Sequence, residues 1–295
     1  MLVIVLVIVL VLVIVLVIVL VLVIETHNRQ NNRRSTLMSL VKITGRLLTA
    51  ISLLGMTLTL FFSGIWPFET ASYWVPWYLV VALAGACSCA LARSYRWAGA
   101  GILCAAMALA LMTPHYLPCR HPDTEASTPV FRVLQANVYY PGNDPDALLR
   151  LVRESKPDLV LLQEVDEKWQ GLLKPLESLY THHRCSPRYT GGGPDLAQFW
   201  SQETLTVRDL HEEGLPAVET LLRVNRRTLR VLNAHTAAPF TRGRAERYHA
   251  QMDLLARYAA RSREPVLLAG DLNAGPWSRH YTRLLEQGKL TRARR

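Results

Sequence analysis

Cysteine is sparse and scattered, five in 295 residues, with no CxxC pair and no Cys/His cluster. A thiolate metal site of the structural zinc kind is thereby excluded. No Arg/Lys run with interleaved aromatics occurs, so an extended nucleic-acid groove is not indicated. Acidic residues are few in the first part of the chain. The net charge of +10 divides as +4 before residue 131 (8 basic, 4 acidic) and +6 from there on (25 basic, 19 acidic). So dispersed an excess is compatible with phosphate-bearing partners without specifying one. Charge is absent altogether from Leu47 to Trp66, Trp74 to Ala92 and Trp97 to Leu117.

Those uncharged tracts are each about twenty residues long, which matches the hydrocarbon thickness of a bilayer, and Trp and Tyr sit at their ends as interfacial anchors do. They read as a three-helix transmembrane module over 47–117. Arg29, Arg33, Arg34, Lys42 and Arg46 precede the first tract, and Arg93 and Arg96 lie between the second and third. The loop PFETASY between the first and second has no basic residue. The positive-inside rule places 25–46 and 93–96 in the cytoplasm and everything after about residue 118 outside. Cys87, Cys89 and Cys104 then read as small membrane-buried residues. Cys119 and Cys185 both fall outside the cytoplasm, where a disulfide between them is compatible with the redox environment.

Residues 1–24 repeat LVIVLVIVLV with a period of ten. The tract is apolar enough to be a fourth span, yet it lacks the basic n-region and small-residue cleavage site of a signal peptide. So regular a repeat also fits translated repetitive DNA or a misplaced start codon.

After a linker at 118–130 the composition becomes that of a soluble domain, 131–295. Strands are expected at 131–138, 158–165, near 196–200, 205–209, 217–224 and 228–235, and over the apolar run 266–270. Helices are expected at 144–156, with Pro145 beside an Asp cap, at 167–180 and at 242–263. Alternating β and α segments with consecutive strands between them indicate a layered α/β fold. Each buried strand finishes in a group able to bind a hard cation or a phosphate: Asn137, Glu164, His235, and Asp271 with Asn273. Strand alternation would send Asp271 and Asn273 to the same side. Singly each has a plainer explanation, a turn cap for Asn137 or a core position for His235. Together, at the carboxyl ends of buried strands, they mark a place for chemistry.

The ordered set ANV, PDLVLLQEV, NAHTAAP and GDLNAGP resembles the endonuclease/exonuclease/phosphatase superfamily, which includes pancreatic deoxyribonuclease, abasic-site endonucleases, inositol polyphosphate 5-phosphatases and sphingomyelinases. LAQFWSQ at 196–202 resembles that family's central strand around a Ser, here Ser201. The membrane module resembles that of bacterial membrane-bound members. The resemblance implies a four-layer α/β sandwich and Mg²⁺- or Mn²⁺-dependent cleavage of phosphate esters. Asn137 and Glu164 match the metal-holding amide and carboxylate. Asp271 matches the residue that orients or deprotonates the attacking water, Asn273 the amide that stabilises developing charge, and His235 the histidine on the scissile phosphate. The implied substrate is a nucleic acid, nucleotide or phospholipid. The implied location is a bacterial inner membrane with the α/β domain outside the cytoplasm.

One departure from the family pattern stands out. Members continue past GDLN to a terminal Ser-Asp-His, whereas residues 282–295 contain no Asp, and His280 follows Trp-Ser-Arg rather than Asp. The expectation is a domain incomplete at its C-terminus. The alternative to an active phosphoesterase is therefore an inactive remnant or phosphate-binding module lacking the terminal Asp-His pair.

Overall fold

The computed structural model describes residues 31–116, 130–139, 144–186 and 196–293. The repeat at 1–24, most of the linker and Cys119, the cysteine that a disulfide to Cys185 would need, lie outside these residues. The chain divides into two compact units, one ending at Leu117 and the other beginning at Pro118.

In the first unit, helix α1 (Asn31–Thr57) runs on through a π-helical turn, Leu58–Phe62. A 3-10 segment, Phe68–Trp74, leads into α2 (Val75–Leu91), and α3 follows at Tyr95–Tyr116. Helix α1 begins well before the expected Leu47, because no proline interrupts 31–46 and backbone bonding continues past the apolar boundary. The stretches Leu37–Phe62, Phe68–Leu91 and Tyr95–Tyr116, of 26, 24 and 22 residues, are long and apolar enough to cross a membrane. Small residues let the helices approach. A Cβ on Gly45 would stand 2.8 Å from Cys89 Sγ, and one on Gly85 would stand 2.6 Å from Thr49 Oγ1. Close backbone approach of this kind is how helices associate where lipid is as apolar as leucine. Leu47, Ile51, Leu54, Leu83, Ile102 and Leu103 are exposed on the outside of the bundle. Arg46 Nε donates to Ser94 Oγ at 3.3 Å, so Arg46 and the basic turn between α2 and α3 lie at one end of it.

The second unit runs β1 (Val133–Asn137), α4 (Pro145–Ser155), β2 (Leu159–Gln163), α5 (Glu167–Leu172), α6 (Lys174–Glu177), β3 (His182–Cys185), β4 (Leu196–Trp200), β5 (Glu203–Asp209), β6 (Ala217–Val224), β7 (Arg227–His235), α7 (Arg242–Ala260), β8 (Val266–Asp271) and α8 (Arg279–Gly288). The strands form two sheets, ordered β1-β2-β4-β3 and β5-β6-β7-β8. The β1–β2 and β7–β8 pairs are parallel and the rest antiparallel. Leu148, Val152, Trp169 and Leu176 from the first helices pack on Val160, Leu162 and Phe199 of one sheet. Tyr248, Met252, Leu255 and Leu284 of α7 and α8 pack on Leu232 and Ala234 of the other. Between the sheets lie Leu159, Leu161, Trp200, Leu222 and Val231. Helix, sheet, sheet, helix make the four-layer sandwich expected. Strand β2 has both faces covered, which is why its sequence is apolar without alternation.

Three expectations need correction. The helix anticipated over 167–180 is two short ones, α5 and α6, because Pro175 has no N–H to continue the ladder across Leu173. Helix α7 ends at Ala260 rather than Arg263, where Arg261 caps it ahead of Pro265. Strand β3 was not expected. It is a short edge strand whose polar residues His182 and His183 stack on Trp200 and Phe199 of its neighbour.

Gly270 fixes how closely β8 approaches β7. Its φ is 137°, and a Cβ there would lie 1.8 Å from the Ala234 carbonyl oxygen. Gly270→Ala must part the two strands, so we expect a loss of more than about 3 kcal/mol. Gly171, in α5, faces open space, and Gly171→Ala should gain about 0.5–1 kcal/mol. Urea unfolding followed by tryptophan fluorescence measures both. Equal effects would show that the Gly270 approach is not limiting.

Candidate metal centre

Three of the candidate side chains, Asn137, His235 and Asp271, end their strands. On β7, Val231, Asn233 and His235 share the face that meets the other sheet, by the two-residue period of a strand. His235 is in register with Asp271 of β8, and Asn137 of β1 with Gln163 of β2. The parallel pairs β1–β2 and β7–β8 thus finish at one end of the sandwich. Glu164 needs a further device, since alternation alone would send it to the face opposite Gln163. Its backbone turns left-handed, φ 62°, an uncommon state for a residue with a Cβ, and the carboxylate comes back inward.

One amide then joins the sheets. Asn137 Nδ2 donates to Glu164 Oε1 at 2.8 Å and to Asp271 Oδ2 at 2.8 Å. Its Oδ1 accepts from the Tyr139 backbone N–H at 2.9 Å, which fixes the amide's orientation. His235 Nε2 lies 3.8 Å from Glu164 Oε1, and one ligand atom from each of Glu164, His235 and Asp271 falls within 4.8 Å of the others. His235 is buried, and burial holds its pKa below the ordinary 6.5 even though Asp271 and Glu164 pull the other way. The ring is therefore neutral at neutral pH. Its buried Nδ1 has no hydrogen-bond partner among the described residues.

The structure brings Asn137, Glu164, His235 and Asp271 together. Asn273 stands one step back, and the expectation that it shares a strand face with Asp271 fails. The strand ends at Asp271, and Asn273 is left-handed with φ 45°. Its N–H donates to Asp271 Oδ1 at 2.9 Å, and its Nδ2 to the Thr236 carbonyl at 2.8 Å. Asn273 thus fastens Asp271 to the end of β7. Thr236 was not anticipated. It completes this clasp with its N–H on the Asp271 carbonyl (3.1 Å) and its hydroxyl on the Leu272 carbonyl (2.6 Å). Ser201 follows Trp200, which pairs with Leu159 at the end of β2 away from Glu164. His280 stacks on His249 of α7 at 4.0 Å, apart from this cluster.

The donor set suits a hard divalent cation. Two carboxylates this close repel unless positive charge lies between them, and their oxygens, with an amide alongside, are Mg²⁺ and Mn²⁺ ligands by type. Here the Asn137 NH₂ supplies the partial positive charge that bridges them.

Residues 134–294, more than half of the chain, match the sequence pattern of the Endonuclease/Exonuclease/phosphatase family. The chain belongs to this family. Among solved structures, the family domain is similar to truncated TDP2 of Caenorhabditis elegans (23% identity, 48% of this chain and 62% of that one, TM-score 0.38). It is also similar to a β-hairpin deletion mutant of Staphylococcus aureus beta toxin (16%, 55% and 74%, TM-score 0.44). A third is sphingomyelinase C from Streptomyces griseocarneus (19%, 56% and 72%, TM-score 0.43). The chain spans 62% of that truncated TDP2 and 48% of the longer C. elegans TDP2. No curated protein matches the chain by sequence.

Removing the bridging amide tests its role. Asn137→Ala deletes two hydrogen bonds to charged groups and leaves the carboxylates facing each other, so we expect a loss of about 2–3 kcal/mol at low salt. In the Asn137→Ala/Glu164→Gln pair the repulsion is gone and much of the loss should return. Urea titration at two ionic strengths reads this. A salt-independent loss that Glu164→Gln leaves unchanged would show that Asn137 acts by packing alone.

Proposed function

We propose that the chain is a membrane-anchored, divalent-metal-dependent phosphoesterase acting on a phosphate ester of a nucleic acid, a nucleotide or a phospholipid. The observation that carries this reading is the convergence of Glu164, His235 and Asp271 within 4.8 Å in a chain of this family. Glu164 and Asn137 are the residues that would hold Mg²⁺ or Mn²⁺. The ion, when bound, polarises a phosphoryl oxygen and offsets the charge that develops on it.

The chain's own residues supply the rest. Asp271, clasped by Asn273 and Thr236, orients a water and accepts its proton as the water attacks phosphorus. His235, neutral because it is buried, donates an N–H to a non-bridging oxygen of the scissile phosphate and steadies the charged intermediate geometry. Asn273 acts through Asp271 by holding its carboxylate in line. Glu164, left-handed and tied to Asn137, keeps its carboxylate beside that of Asp271, so a cation it held would lie next to the attacking water.

The test uses the full chain in detergent micelles with bis-p-nitrophenyl phosphate, DNA and phospholipid vesicles, each with Mn²⁺ or Mg²⁺. One of these should be hydrolysed, and Asp271→Asn and His235→Ala should each lower the rate by about two to four orders of magnitude. Mn²⁺ should raise the melting temperature of the wild type by mass action, and Glu164→Gln should abolish that shift. Mn²⁺ binding without hydrolysis of any substrate would favour the alternative, an inactive remnant or phosphate-binding module. Full activity in Glu164→Gln would remove Glu164 from the metal site.

We also propose that the α/β domain lies outside the cytoplasm. The contact of Arg46 with Ser94 supports this reading, because it sets Arg46 beside the turn that carries Arg93 and Arg96 at one end of the three apolar helices, the end that the positive-inside rule keeps in the cytoplasm. In a bacterial host, alkaline phosphatase fused after residue 125 should be active and green fluorescent protein at the same junction dark. Fluorescence there would reverse the orientation.

A further inference from the structure

The space between the sheets changes character along its length. At one end it holds Leu159, Leu161, Trp200, Leu222 and Val231. At the other, under the carboxylates, it holds amides. Gln135 Nε2 donates to Gln163 Oε1 at 2.5 Å, and Gln163 Nε2 donates to Asn233 Oδ1 at 2.6 Å. Asn233 Nδ2 then donates to the Leu162 and Ala197 carbonyls at 3.2 and 3.1 Å. Gln163 and Asn233 are both fully buried. The chain of bonds runs in one direction from β1 through β2 to β7 and back to β2 and β4, so it crosses between the sheets.

Burying amides is costly even when they are bonded, and leucines would fill the same space with less penalty. What amides add is geometry. Apolar side chains tolerate sliding, whereas a directional bond under 3 Å sets both the spacing of the sheets and their relative register. Each member also lies just before a site residue in sequence: Gln135 two before Asn137, Gln163 one before Glu164, Asn233 two before His235. In addition, Asn233 is in register with Ala269, two before Asp271. A second polar link in the same layer joins β4 to β6, with Thr220 Oγ1 donating to Gln198 Oε1 at 2.7 Å and Gln198 Nε2 to the Val218 carbonyl at 3.0 Å. No site residue stands at the end of either of those strands.

We propose that Gln163 and Asn233 are positioning residues that lock the two sheets in the register at which Glu164, the carboxylate that would hold the cation, stands against His235 and Asp271, with Gln135 orienting Gln163 from the neighbouring strand of the same sheet. This rests on the metal-dependent reading above and concerns how the site is held. Side chains that orient metal ligands from behind ordinarily cost ten- to a hundredfold in metal affinity when replaced, by a rough rule. Mn²⁺ affinity is read by the electron paramagnetic resonance of the free ion on the full chain in micelles, well below the melting temperature of every variant.

Gln163→Met and Asn233→Leu should each weaken Mn²⁺ binding about tenfold or more and lower the melting temperature. The Gln163→Met/Asn233→Leu pair leaves no unmatched amide between the two, so it should recover melting temperature relative to either single change without recovering Mn²⁺ affinity. Thr220→Val should lower the melting temperature and leave Mn²⁺ affinity at the wild-type value. Wild-type affinity in the paired variant overturns the proposal, as does affinity that tracks melting temperature through all four proteins, Thr220→Val included. A folded wild type that binds no Mn²⁺ sinks the metal reading itself, and this inference with it. A wild type that binds while the variants bind equally well sinks the inference alone.

Discussion

Two carboxylates on different sheets, Glu164 and Asp271, are held 2.8 Å from the same amide nitrogen of Asn137. Like charges brought this near resist the arrangement, so the scaffold must prevent them from simply moving apart. Both escape routes are blocked. Glu164 is tied to a left-handed backbone at the end of β2, a strand buried on both faces. Asp271 is clasped by Asn273 and Thr236 and set against β7 by the close approach at Gly270. The parallel pairings β1–β2 and β7–β8 bring the carboxyl ends of four strands to one end of the sandwich, which an all-antiparallel meander would scatter. Left-handed Glu164 and Asn273 each cost about 1–3 kcal/mol of strain, and the apolar layers beneath must outweigh it.

The site was legible to the extent that it follows strand ends. Asn137, His235 and Asp271 terminate their strands as the apolar runs imply, because a buried strand finishing in a polar group is visible in the residue order itself. Glu164 was found by the same logic, but its inward direction was not, since alternation cannot reveal a positive φ. Asn273 was misread for the converse reason. Alternation was extended two residues beyond the strand, where a left-handed turn rotates the side chain onto Thr236. Gln163 and Asn233 carried a signal that could have been used: a lone amide inside an otherwise apolar strand has to find a partner. Their partners sit in distant strands, and sequence spacing does not show that they are one another's. Strand β3 was illegible because HHRC has neither alternation nor apolar content, and its stability comes from its neighbour's aromatic rings.

The first unit follows the opposite rule. Its exposed residues are leucines and isoleucines, and its contacts are glycines, alanines and hydroxyls. A sequence read by hydropathy finds such helices readily but misplaces their ends, as with α1, since hydropathy marks where lipid would begin and hydrogen bonding decides where the helix does. The contact between Arg46 and Ser94 reconciles the two. The helix is already formed at Asn31, yet the charged contact lies next to Leu47, where the uncharged stretch begins.

The inner faces of the sandwich change from apolar to amide to carboxylate along one axis. At the Leu159 and Trp200 end, burial of large apolar groups supplies non-directional stabilisation that tolerates small slips. Toward Gln163 and Asn233 that tolerance is replaced by bonds of fixed length, and beyond them stand the charged groups. A cation centre could not sit directly on the apolar layer, because a carboxylate facing hydrocarbon would be protonated rather than liganded. Nor could the amide layer extend through the whole interface without losing the burial that holds the sheets together. The order apolar, amide, carboxylate is therefore the one in which each layer is solvated by the next, and it places the carboxylates at the carboxyl ends of the parallel strands.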